Sequence, residues 1–191
     1  MGCCFKSYFG DRNGCSPQSC KMHLLPGIVV SSSIILHSFI HLYPGRDYTY
    51  SIPMATAPLN SVRRVLAYGV SVIDPDKILM GMPNYAYDWP LPFVRGETKA
   101  ETISNVEAID RGVQHNVTIQ FDEASQAPFY YYTAEDGIEH AVWFDDARSM
   151  NAKYRLIPEF GLNGSGVWQI MNFFPGAWLV VNNLFEVAKV L

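Results

Sequence analysis

Apolar positions recur along this chain with several periods, and each period marks a different kind of element. Val62, Val65, Leu66, Gly69, Val70 and Ile73 follow the three-four spacing of an amphipathic helix, with Asn60 placed as its cap. Asp74-Pro75 ends that helix. The unbroken apolar run Ile78-Leu79-Met80-Gly81-Met82, closed by Pro83, has the pattern of a parallel strand covered on both faces. A helix leading into such a strand is half of an α/β repeat.

The pattern then changes. Asn84 to Phe93, rich in aromatics and proline, reads as a loop. A helix is expected from Ser104 to His115, with Val106, Ile109 and Val113 on one face. Val117 to Phe121 and Pro128 to Thr133 read as strands, and Asp136-Gly137 as a hairpin turn into Ile138 to Phe144. These elements make a small α+β unit over about residues 94–144. The α/β rhythm then returns. Asp145-Asp146 stands at the start of a helix carrying Ala147, Met150, Tyr154 and Ile157, with Pro158 against its last turn and Gly161 as its C-terminal cap. Gly164 to Met171 is expected as a buried strand containing Trp168, and Trp178 to Leu191 as a terminal helix.

Composition narrows the function classes. In 191 residues, 49% are hydrophobic and 17% charged, enough to bury a core in one domain. The net charge of −4 argues against a phosphate-binding surface, so no nucleic-acid partner is expected. All four cysteines, Cys3, Cys4, Cys15 and Cys20, lie in the first twenty residues and leave the body without disulfides. Cys15, Cys20 and His23 match no standard zinc spacing and lack an evident fourth ligand, so neither a metal nor a cofactor is expected. Met1-Gly2-Cys3-Cys4 resembles an acylated terminus, but the hydroxyl wanted at position six is Lys6.

Residues 1–47 form a leader of different texture. Leu24 to Ile40 is apolar but is interrupted by Pro26, Gly27, three serines and His37, so a membrane span is not expected. Three readings stay open: one or two buried strands around Ile28 to Val30 and Ile34 to Leu36, a targeting segment following Lys21, or a leader foreign to the remainder.

Three stretches carry a family resemblance, and they occur in the family's order. Pro53-Met54-Ala55 and Ala57-Pro58-Leu59-Asn60 lead into KILMGMPNYAYDWPLPF at residues 77–93, residues 103–156 follow, and GLNGSGVWQIMNFFPGAW closes the series at residues 161–178. Together they resemble the C-terminal part of family 18 glycoside hydrolases, especially the spore cortex and germination group acting on peptidoglycan. The resemblance implies an α/β fold over residues 48–191: the C-terminal part of a (β/α)8 TIM barrel, with the α+β unit inserted between the last two strands. It also implies a partner, an N-acetylglucosamine-containing glycan of peptidoglycan or chitin, and a spore or cell-wall location. Hydrolysis in this family is substrate-assisted and retaining: the sugar's own 2-acetamido oxygen replaces the carboxylate nucleophile, while a glutamic acid protonates the leaving oxygen.

That acid belongs to an Asp-x-x-Asp-x-Asp-x-Glu motif on the fourth strand, and the motif does not occur in these 191 residues. Asp74-Pro75-Asp76 continues with Lys77 and Ile78, while Asp122-Glu123, Glu135-Asp136 and Asp145-Asp146 are adjacent pairs that read as solvated turns and a helix start. No catalytic residue is assigned, and three readings stay open: an incomplete, catalytically impaired hydrolase of the family, a non-catalytic carbohydrate-binding or interaction module, or an inactive truncated remnant. By the resemblance, Trp168 is the apolar floor under the sugar in the cleavage subsite, a task suited to an indole face that buries the C–H face of a pyranose. Tyr43 is the candidate for the family's sixth-strand tyrosine, but Pro44 follows it in place of an acid and the element is otherwise unmatched. Tyr85, Tyr87, Asp88 and Trp89 follow the seventh-strand candidate, where barrels place substrate-contacting loops, and alternate residues of Phe129 to Tyr132 face either a sugar groove or the core. An open parallel sheet leaves unpaired edges. The chain is therefore expected to be poorly stable, or completed by a missing barrel half or an oligomer, unless the leader supplies strands.

Overall fold

The computed structural model describes residues 52–169 and 171–189, together with the backbone of three N-terminal strands. These are β1 (Cys3–Tyr8), β2 (Lys21–Leu24) and β3 (Ile34–Ile35). Cys15, Cys20, His37 and Tyr43 lie outside the described residues, and Cys3, Cys4 and His23 are described by backbone alone.

Helix α1 (Leu59–Val72) buries Val62, Leu66 and Gly69, as its apolar spacing predicts. It begins two residues earlier than expected. Pro58 occupies the N-cap and Asn60 lies inside the helix, because proline's fixed φ suits a helix start and the Leu59 amide finds the Ser125 carbonyl at 2.9 Å. After a 3-10 turn (Pro75–Lys77), β4 (Ile78–Pro83) runs almost wholly buried. Ile78, Met80 and Met82 project into the main core with Leu66, Met150, Leu156, Ile157 and Val181.

The segment expected as a loop is instead β5 (Ala86–Pro90). Its alternating side chains divide between two buried clusters, and pairing with β6 (Glu101–Ile103) and a later strand satisfies its backbone. The prolines that suggested a loop fall at the strand's end and beyond it, where a missing amide costs least.

Helix α2 (Asn105–Gln114) begins at Ser104, whose hydroxyl accepts the Glu107 amide at 3.0 Å. Of the expected face only Ile109 packs against the core. Asn105, Ala108 and Gly112 point inward, while Val113 is 73% exposed and Val106 is at the surface. Small residues prevail because α2 rests on large aromatics: a Cβ on Gly112 would sit 3.3 Å from the Tyr130 ring, whose hydroxyl donates to the Ala108 carbonyl at 2.6 Å. Strands β7 (Gln120–Asp122), β8 (Ala127–Thr133) and β9 (Glu139–Trp143) complete an antiparallel sheet of order β6-β5-β9-β8-β7. Gly137, at φ 82, forms the turn between β8 and β9.

Helix α3 (Ala147–Tyr154) starts at Asp146 with a reciprocal capping box to Ser149, at 2.7 and 2.9 Å. The single helix expected here breaks at Arg155 into α3 and the short α4 (Leu156–Glu159), before Gly161 at φ 64 turns the chain into β10 (Gly164–Trp168). The C-terminal expectation also needs correction. Helix α5 (Pro175–Leu184) starts at Pro175, Phe185 becomes extended, and β11 (Glu186–Lys189) pairs with β2.

The second sheet has the order β11-β2-β1-β10-β4-β3. Its centre is the parallel pair β4 and β10, in register from Leu79 opposite Gly164 to Pro83 opposite Trp168. Strand β3 continues the parallel set beside β4, and β1 adds antiparallel to β10. The leader thus supplies strands to both edges of the expected α/β pair. Among the described residues, no helix is long and apolar enough to cross a membrane.

Candidate functional site

Parallel strands that end together bring their following residues together, and β4 and β10 end level with Pro83 opposite Trp168. The residues after them, Asn84-Tyr85 and Gln169, therefore meet at the carboxyl edge of the sheet, where α/β folds place their binding loops. Trp168 is 47% exposed there, although Gly164 and Ser165 on the same strand are buried. Its carbonyl accepts the Asn84 amide at 2.6 Å, and its peptide bond to Gln169 is cis.

From the same edge an aromatic series enters the antiparallel sheet through β5. Tyr85 lies edge-on to Tyr87 at 5.5 Å, Tyr87 to Trp89 at 5.9 Å, and Trp89 to Phe93 at 5.9 Å. Tyr85 and Tyr87 keep only a small exposed fraction and Trp89 none. The Trp89 indole N–H has no hydrogen-bond partner among the described residues. Next to Tyr87 in register stands Trp143, and next to that Phe129, whose ring stacks on Trp143 at 4.5 Å with an interplanar angle of 16°. Tyr131 lies on this face too, 45% exposed, whereas Tyr130 and Tyr132 point into the core beneath α2. The expected alternation along β8 is present.

Asp88 projects to the opposite face from Tyr87 and Trp89, and its carboxylate is enclosed. One oxygen takes the Tyr132 hydroxyl at 2.7 Å and the Arg111 guanidinium, and the other meets His140 Nδ1 at 2.7 Å. Arg111 also binds Glu101 at 2.9 Å and Glu107 at 2.8 Å. Partial burial opposes its charge, but the hydrogen bonds to Glu101, Asp88 and Tyr132 prevail and raise its pKa. Burial, then the hydrogen bond to the Asp88 carboxylate, pushes the Tyr132 phenol up to about 12. The Tyr132 ring in turn lies between His115 at 4.4 Å and His140 at 5.0 Å. Nothing in the sequence spacing linked Asp88 to Arg111, Tyr132 and His140, which converge only across three strands and a helix.

The acidic pairs resolve into different roles. Asp122 caps the turn before β8 by accepting the Ala124 and Ser125 amides at 3.1 and 3.3 Å, and its pKa is lowered, most by the Ser125 side chain. Glu123 pairs with Arg148 at 2.6 Å, and Glu135 and Asp136 lie exposed about the β8–β9 turn. Asp145 departs from the expected solvated helix start. It is buried, in an ion pair with the equally buried Lys153, and accepts the Ser149 hydroxyl at 2.9 Å. A lysine at helical spacing gave no sign of its burial, because burial depends on packing that the spacing does not carry.

Known proteins match the chain along the same stretch. The family profile of Glycosyl hydrolases family 18 matches residues 43–172. The "Cortical fragment-lytic enzyme" of Bacillus subtilis (strain 168) is 41% identical over 142 residues, which cover 74% of this chain and 33% of that protein. The "Putative sporulation-specific glycosylase YdhD" of the same organism is 35% identical, covering 83% and 37% respectively. Among solved structures, the Bacillus cereus spore cortex-lytic enzyme SleL superposes with a TM-score of 0.74 at 35% identity, covering 84% of this chain and 36% of that one. The chain thus spans about a third of the length of these relatives. With a profile match over more than half its residues, and with relatives of this identity in both sequence and structure, the chain belongs to family 18 of the glycosyl hydrolases.

Proposed function

We propose that these 191 residues form the C-terminal, sugar-binding part of a family 18 barrel, with the α+β unit between β4 and β10 as the family's insertion. Its partner is an N-acetylglucosamine-containing glycan, spore-cortex peptidoglycan or chitin. The observation that carries this reading is Trp168, half exposed at the carboxyl end of β10 beside the end of β4. An indole fixed there offers a flat apolar face to a pyranose ring and leaves the sugar hydroxyls free for hydrogen bonds. Tyr85, next along the edge, is buried against Tyr87 and backs that edge of the sheet. Tyr87, Asp88 and Trp89 support it from within: they are buried, and the enclosed Asp88 carboxylate fixes β5 against α2. Tyr43, outside the described residues, stays the sequence's candidate for the sixth-strand tyrosine, and Phe129, Tyr131 and Trp143 form a second aromatic surface on the insertion.

Hydrolysis by the family's substrate-assisted, retaining route needs a carboxylic acid beside the leaving oxygen. The Asp-x-x-Asp-x-Asp-x-Glu motif is absent from these residues; Asp122-Glu123 and Asp145-Asp146 serve in a turn, ion pairs and a helix cap, and Glu135-Asp136 lies exposed at a turn. The chain by itself is accordingly a glycan-binding unit without turnover. The cortical fragment-lytic relatives support peptidoglycan as the glycan, and the family's wider membership supports chitin.

Titration of the purified chain with muropeptides and with tetra-N-acetylchitotetraose tests the reading. Saturable binding is expected, lost in Trp168→Ala, with no release of reducing ends from either sugar. Absence of binding in the unaltered chain refutes the glycan assignment, and release of reducing ends refutes the assignment of binding without turnover.

A further inference from the structure

Asn84 is the first residue beyond β4, and it bonds to the segment around Trp168 through three separate groups. Its amide donates to the Trp168 carbonyl at 2.6 Å, its side-chain NH2 donates to the Asn172 carbonyl, and its own carbonyl accepts from Asn172 Nδ2 at 3.0 Å. The segment that carries the indole is thereby pinned at Trp168 and again at Asn172. Asn84 is itself buried and oriented from behind. Its Oδ1 faces Asn105 Nδ2 at 3.4 Å, a long contact, and Asn105 Oδ1 accepts the Asp145 amide at 2.9 Å. Asp145 is fixed in turn by Ser149 and Lys153. The donors and acceptors run in one consistent direction, so both amide orientations are determined.

We propose that Asn84, with Asn172 as its reciprocal partner, is a positioning residue that holds the Trp168 indole in place for a sugar. The inference rests on the reading of Trp168 as a sugar platform. An exposed indole on a loosely held segment would lose its freedom when the sugar arrives, and fixing the backbone on both sides removes that cost beforehand. The side-chain amide is needed specifically. An aspartate at position 84 has nearly the same size but offers the Asn172 carbonyl an acceptor in place of a donor.

The test uses the full chain labelled with 5-fluorotryptophan, whose four tryptophans give separate fluorine resonances assigned by single Trp→Phe substitutions. Asn84→Asp, and independently Asn172→Asp at a half-buried position, are expected to shift or broaden the Trp168 resonance. The Trp89 resonance, enclosed between Tyr87 and Phe93, should stay in place. Affinity for tetra-N-acetylchitotetraose should fall about tenfold, the equivalent of one neutral hydrogen bond. If both variants leave the Trp168 resonance unmoved, or move all four together, the positioning role is wrong. If instead the sugar leaves the Trp168 resonance of the unaltered chain unperturbed, the platform reading fails, and the variants' spectra still decide whether Asn84 fixes the indole.

Discussion

At the scale of single residues, two sites of buried charge organise the molecule. Asp145 and Lys153 face each other in a site closed to water, and removing either partner from such a pair costs about 3–5 kcal/mol because the other charge stays behind. Asp88 holds a comparable position between Arg111, His140 and Tyr132. Tyr132 gives this cluster a readable pH signature. Its folded pKa of about 12 lies above the ordinary 10.0, so folding favours the neutral phenol. That stabilisation is complete below pH 10 and is lost as pH rises through about 12. Thermal melts at a series of alkaline pH values should show an extra loss of stability in this window, and Tyr132→Phe should reduce it without abolishing it, because burial also raises the Tyr130 and Tyr154 phenols. Parallel curves for the two proteins would remove Tyr132 as the cause.

At the scale of elements, α2 shows how packing chose between two possible faces of one helix. Its valines suggested one side, but the sheet beneath presents Tyr130 and Tyr132, and only Ala108 and Gly112 allow the close approach. Glycine inside a helix normally costs about 1 kcal/mol against alanine, so an alanine here would stabilise if space allowed. Tyr130 is buried and held by its hydrogen bond to Ala108, and Val117 presses from the other side, so neither yields easily. Gly112→Val is expected to destabilise by about 1–3 kcal/mol, read from the urea midpoint, through overpacking. A raised midpoint would show that the Tyr130 ring moves aside.

At the scale of the whole molecule, the parallel pair β4 and β10 is flanked by strands of the leader, β3 on one side and β1 on the other. Removing residues 1–47 would strip both flanking strands and expose two edges rich in unpaired backbone groups. The shortened chain should self-associate, with light scattering rising before any thermal transition. A monomer with an unchanged melt would mean that these pairings contribute little.

Local pattern determined the parts of this protein whose signals are local. The spacing of Val62 to Ile73 announced α1, the unbroken run of β4 announced a strand covered on both faces, Ser104 and Asp146 marked helix starts, and Gly137 and Gly161 marked turns. Family membership, too, was legible, because it resides in short ordered stretches around β4 and Trp168. Tertiary structure decided what depends on distant partners. It made a strand of Ala86 to Pro90, whose prolines argued for a loop until β6 and β9 paired with it, and a strand of Glu186 to Lys189, which pairs with β2. It buried Lys153, and it joined Asn84 to Asn172 across 88 positions of sequence. Trp168 belongs to both accounts. Its place in the sequence made it a candidate, while the level ends of β4 and β10 and the clasp of Asn84 determine which way its backbone is held.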